Sequence, residues 1–211
     1  MNVQTEVGAI SRVLEKDTRD GKPFYTVVVR RTYNTSKADL WDALTSAERI
    51  PRWFSPVTGD LREGGRYQVE GNAGGTITEC RKNEYFKATW EFGAQVSWIE
   101  LRLTEKGADK TELELRHGSA VEDYFWTQYG PGAVGVGWDM SFLGLALYSE
   151  SGIEKPADVN SWSTSGEGKE FIEGSSLAWV EASIAAGTSA DEARAAGVNT
   201  TKFYTVLPED Q

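Results

Sequence analysis

The chain has 211 residues, 39% of them hydrophobic and 26% charged, with a formal net charge of -10. This length can bury a full core, and no run approaches the roughly 18 apolar residues that a membrane span needs. The acidic balance disfavours nucleic-acid and anionic-lipid partners, while one cysteine, Cys80, and one histidine, His117, make neither an internal disulfide nor a standard zinc site. No metal and no cofactor are expected.

The N-terminus, MNVQTEVGAISRVLEKD, lacks a basic start followed by an apolar run, which predicts a cytoplasmic chain without a secretory signal or transit peptide. Gly8 to Glu15 and Phe24 to Tyr33 are rich in β-branched residues and read as a hairpin separated by KDTRDGK. Ser36 with Asp39 caps a helix through about Leu44, and Thr45 with Glu48 repeats that signal for a second short helix. Pro51 stops it and turns the chain, delivering Trp53 and Phe54 over the sheet.

From Asp60 the period becomes two, in RYQVEG, TITECR, YFKATWEF, WIELRLTE and TELELRHG, joined by links too short for parallel crossovers. The pattern predicts an antiparallel meander. After Gly118 the spacing turns helical, and Asp139 is the only charge between Val134 and Tyr148. So apolar a helix is buried over most of its circumference, and a curved sheet is the surface available to bury it. The fold class expected is α+β, a curved antiparallel sheet wrapped around a long helix. Ser149 to Gly168 reads as a linker, Glu170 to Ala186 as a helix, and Ser189 with Glu192 as the cap of a shorter helix that Gly197 ends. This gives a ligand-binding domain over 1–150, a linker over 151–168 and a helical extension over 169–211 that packs on the domain.

Several residues stand out as site candidates. His117 shares a face with Leu113 and Leu115, so it is either a cavity-facing imidazole or a core histidine bonded to a carbonyl. Arg31 shares a face with Val27, Val29 and Tyr33, unless a bulge near Arg30 turns it to solvent. Trp90 with Phe92, and Tyr67 with Val69, share faces too. The GPGAVG stretch satisfies a dinucleotide fingerprint through Gly130, Gly132 and Gly135 but lies in no β-α-β unit. Its glycines are expected to loosen the start of the long helix. The last long helix has two stripes, Leu177, Val180 and Ile184, and Phe171, Ile172 and Trp179, one to dock on the domain and one to be covered by a second subunit, by the FYTVL segment near the terminus or by a loop.

Leu40-Trp41-Asp42-Ala43-Leu44-Thr45 with Trp53-Phe54, then Gly64-Gly65-Arg66-Tyr67, Thr89-Trp90-Glu91, Leu115-Arg116-His117-Gly118 and Gly137-Trp138, resemble in order and spacing the SRPBCC or START-like superfamily. Within it they resemble the branch related to activators of the heat-shock chaperone ATPase. The resemblance implies a helix-grip fold with a cavity between sheet and helix, bordered here by Trp53, Phe54, Tyr67, Trp90, Phe92, His117, Trp126, Trp138, Phe142 and Arg31. The function expected is binding of a small hydrophobic or amphipathic molecule. The alternatives are a co-chaperone-like module with a chaperone partner, and a cyclase-like enzyme using His117, Arg31, Tyr67 and Tyr124. A homodimer through the C-terminal extension is a further expectation.

Overall fold

The computed structural model describes residues 1–120, 124–156 and 158–206. Residue 157 of the expected linker and 207–211 of the expected extension lie outside them. The N-terminus differs from the sequence expectation: Asn2 caps a short helix, α1 (Val3–Gly8), by accepting from the Thr5 amide, and the first strand, β1, spans Ser11–Arg19. Asp20 and Gly21 both take positive φ, +51° and +75°, as a tight hairpin turn with the right-handed twist of its strands requires. The turn therefore occupies two residues, and most of the acidic link is strand. Strand β2 follows over Lys22–Tyr33.

Ser36 accepts from the Asp39 amide at 3.2 Å and opens α2 (Lys37–Thr45). The second capping box forms no α-helix; only one 3-10 turn over Ile50–Arg52 appears, with Pro51 near its start. Four residues between Thr45 and Ile50 are too few for a nucleus of helical bonds once proline removes a donor.

Strands β3 (Val57–Gly59), β4 (Arg66–Val69), β5 (Gly74–Arg81), β6 (Tyr85–Phe92), β7 (Gln95–Gly107) and β8 (Lys110–Ala120) complete a curved eight-stranded sheet in the order β1-β2-β8-β7-β6-β5-β4-β3. The pairings from β3 to β8 are antiparallel, each strand with its sequence neighbour. Period-two alternation sets the register: Ala88, Ile99, Leu101, Leu103, Leu113 and Leu115 are buried, while Arg102 with Glu100, Lys106 with Glu112 and Arg30 with Glu114 form ion pairs between them. With the long helices that follow the sheet in sequence, this is the α+β helix-grip class.

Those helices are α3 (Tyr124–Tyr129), α4 (Gly132–Ser151), α5 (Val159–Thr164), α6 (Gly166–Ala185) and α7 (Ala190–Thr205). Helix α5 lies inside the stretch read as linker, because Asp158 accepts from the Asn160 and Ser161 amides and starts it. Helix α7 runs through Gly197 instead of ending there. The chain forms two compact units, a helical one of Met1–Val29, Ala120–Phe142 and Pro156–Gln211, and a sheet one of Arg30–Ser119 and Leu143–Lys155.

Within the helical unit the glycines have a different purpose from the one expected of them. A Cβ on Gly135 would stand 2.2 Å from the Trp179 ring, one on Gly132 2.5 Å from Thr200 Oγ1, and one on Gly197 2.4 Å from a Val180 methyl. Gly132, Gly135 and Gly197 let α4, α6 and α7 approach one another closely. Helix α6 buries Phe171, Ile172, Trp179 and Val180 on one face, while Leu177 is 65% exposed. The two expected stripes are thus divided differently, since Trp179 and Val180 share the docked side.

Candidate functional site

In the sheet unit one face carries a row of rings. Tyr67 pairs with Gly75 across β4 and β5, Trp90 with Ser97 across β6 and β7, and Ile99 with His117 across β7 and β8. Side chains two apart on a strand share a face, so Tyr67, Trp90, Ser97 and His117 look to the same side as Ile99 and Leu101. A Cβ on Gly75 would meet the Thr89 carbonyl oxygen at 2.0 Å. With no side chain there, Tyr67 reaches over β5 and donates to that same oxygen at 2.6 Å.

The Tyr67 and Trp90 ring centroids are 6.5 Å apart, and Trp90 and His117 6.0 Å. Ser97 Oγ lies 2.8 Å from His117 Nε2 and 3.0 Å from the Trp90 carbonyl oxygen. One hydroxyl proton serves one acceptor, so when Ser97 donates to the carbonyl, Nε2 carries hydrogen and donates to Ser97. Burial pushes the His117 imidazole down to about 4 and holds it neutral at physiological pH. Burial also raises Tyr67, with Glu91 adding to the effect. The row is therefore uncharged, aromatic and tied internally by hydrogen bonds.

The other candidates of this unit are spread around it. Trp53 and Phe54 stack at 5.5 Å, the Trp53 indole donates to the Ala43 carbonyl at 2.9 Å, and the Trp53 backbone lies against Gly144 of α4. Pro51 does turn the chain, but Trp53 ends half-buried on helices α2 and α4. Arg31 is buried, with its guanidinium 5.6 Å from the Tyr33 ring, and Arg30 is the one that pairs outwards with Glu114. No bulge turns Arg31 to solvent. Phe92 departs from the expectation of a cavity position: it is 59% exposed at the end of β6, beside the β6-β7 turn.

The remaining candidates belong to the helical unit. Trp126 stacks on Tyr25 at 4.6 Å, Trp138 is half-buried, Phe142 is buried and Tyr124 is 79% exposed. Of the expected set, the structure brings Tyr67, Trp90 and His117 into one cluster and Trp53 and Phe54 into another. Ser97 was not anticipated, although its sequence signal exists: it is the polar member of the inward series Ser97, Ile99, Leu101, Leu103.

A family model described as Activator of Hsp90 ATPase homolog 1-like protein matches residues 34–150, more than half of the chain. The chain belongs to that family. Its motif order had pointed to the same branch of the SRPBCC superfamily. Among solved structures, CalU16 from Micromonospora echinospora matches twice. Its crystal structure is 35% identical, covering 66% of this chain and 85% of that one with a TM-score of 0.59. Its solution structure is 29% identical, covering 85% and 97% with a TM-score of 0.71. PFC0360w, an HSP90 activator from Plasmodium falciparum, is 22% identical over 62% of this chain and 99% of its own, with a TM-score of 0.52. DynU16, from the dynemicin biosynthetic locus, is 18% identical over 61% and 48%, with a TM-score of 0.55. The last two show the fold alone. No curated protein matches the chain. Among the described residues no helix is long and apolar enough to cross a membrane.

Proposed function

We propose that this family member is a cytoplasmic protein that binds a small hydrophobic or amphipathic molecule through the aromatic face of its sheet. The observation that carries this reading is the row of Tyr67, Trp90 and His117, three rings within 6.5 Å of their neighbours on one apolar face, with Ser97 fixing the imidazole. Rings offer a large apolar contact area with few rotors to immobilise, and a neutral imidazole adds a polar edge without the cost of a buried charge. Trp53, Phe54, Arg31, Trp126, Trp138 and Phe142 are further candidates for ligand contact. An imidazole at about 4 is a weak base at neutral pH, which favours binding over a cyclase-like proton transfer.

A second reading, a co-chaperone module acting through its surface, is favoured by the family itself. The exposed side chains of Phe92, Val96 and Trp98 near the β6-β7 turn would serve such contacts. A homodimer through the extension would use its exposed Leu177 and Val198, since Trp179 is engaged within its own chain.

Native mass spectrometry of freshly purified protein, followed by titration with the apolar probe N-phenyl-1-naphthylamine, tests the first reading. Binding predicts a co-purifying small molecule or saturable quenching of tryptophan fluorescence, weakened about tenfold or more in Trp90→Leu. Linear, non-saturating quenching that is unchanged in Trp90→Leu would remove the ligand reading and leave the surface one.

A further inference from the structure

The first residues of the chain run along one helix. The Met1 amino group is 3.3 Å from Glu167, Gln4 Nε2 donates to Glu170 at 3.3 Å, and Lys16 Nζ donates to Thr188 Oγ1 at 3.1 Å. Between them a Val7 methyl lies 3.2 Å from where a Cβ on Gly174 would stand. The partners advance along α6 and into the turn after it, so Met1 to Lys16 forms a strap laid lengthwise on that helix. Its rim contacts are exposed and individually weak. Its apolar anchors are few, Val3, Ile10 and Leu14, and β1 is an edge strand with β2 as its one neighbour in the sheet.

Midway along the strap is an interaction of another kind. Arg12 Nε donates to Asp139 Oδ2 at 2.7 Å, with both side chains buried. The same oxygen accepts from Ser175 at 2.5 Å and from the Trp179 indole at 2.9 Å. Arg12 also donates through Nη1 to the carbonyls of Val7 and Ile10 at 3.1 and 2.9 Å, binding the guanidinium to the strap's own backbone. The three chain segments of the helical unit each contribute here, Arg12 from the first, Asp139 from the second, Ser175 and Trp179 from the third. Arg12 Nη2 and Asp139 Oδ1 are buried without a hydrogen-bond partner among the described residues, so each charge depends on the other for compensation.

We propose that Met1 to Arg19 is a strap that opens and closes as one cooperative unit, and that the Arg12–Asp139 ion pair is the latch that holds it shut. Weak rim contacts, few apolar anchors and a single-sided strand place the segment at the low end of local stability. Among the strap's side-chain contacts with described residues, the latch is the ion pair with both partners buried. It also fixes register, because a slip of β1 by one residue would turn Arg12 to the opposite face and away from Asp139. An apolar pair of similar volume would remove the buried charges and impose no such register, although it would leave the Ser175 and Trp179 donors without their acceptor.

Residue-resolved hydrogen exchange on the full chain tests this. In Asp139→Asn, and equally in Arg12→Met, amides of β1 and α6 are expected to lose protection by about tenfold or more, while amides of β6 to β8 are unchanged. The double variant Arg12→Met, Asp139→Leu removes both charges together and should recover part of the loss, the remainder reflecting the Ser175 and Trp179 donors left without Asp139. Should either single variant fail to fold, Ser175→Ala keeps the ion pair and removes one donor, and is expected to give a smaller loss in the same amides. Protection that falls evenly through both units, or that stays unchanged in β1, would overturn the proposal.

Discussion

At the scale of single residues, His117 links protonation to stability. Its folded value, about 4, lies below the ordinary 6.5 because burial disfavours the cation. Between those values the unfolded chain binds more protons than the folded one. Stability is therefore full above about 6.5 and declines as pH falls towards about 4, by up to roughly 3 kcal/mol. Urea unfolding as a function of pH should show this decline, and His117→Phe should remove that part of it. Ser97→Ala takes the partner from Nε2, and a buried polar atom left without its bond costs about 1–3 kcal/mol. The face of His117 was legible in the sequence, because spacing of two from Leu113 and Leu115 fixes it. Its partner was not, since Ser97 is on a different strand and only the register of β7 on β8 brings the two together.

At the scale of elements, period and caps carried most of the information. The meander, α2 and the start of α7 followed from alternation and from Ser36 and Ser189, whose side chains cap as their spacing predicts. The second capping box failed because a cap needs a helix long enough to follow it, and Pro51 prevents that. The glycines of α4 misled for a different reason: a glycine that loosens a helix and one that admits a neighbouring side chain are identical in sequence, and only packing separates them. Gly135→Ala distinguishes the two. Alanine improves helix propensity by up to about 1 kcal/mol, yet its methyl would overlap the Trp179 ring at 2.2 Å. Overpacking of that kind costs about 1–3 kcal/mol. Thermal denaturation should show net destabilisation, and Gly135→Ala should cost less when introduced into a Trp179→Leu background than into the unsubstituted chain.

At the scale of the whole molecule, the family match covers 34–150 but the fold does not divide there. Strand β2, over Lys22–Tyr33, lies between β1 and β8 in the sheet. A fragment of residues 34–150 would present β8 as a bare edge with Leu113 and Leu115 beside it, an arrangement prone to association. Such a fragment is expected to aggregate or give a poorly dispersed NMR spectrum, whereas a chain beginning at residue 1 disperses well. Sequence patterning exposed the order of strands in the meander but not the place of the first hairpin, because pairing between segments some eighty residues apart leaves no local periodic trace. The same distance matters during synthesis. Arg12 is 127 residues from Asp139, and Ser175 and Trp179 come later still. Arg12 is made well before α4 and α6, so β1 can pair with β2 as soon as the hairpin has formed, while the seat of its guanidinium on Asp139 is completed only much later in translation.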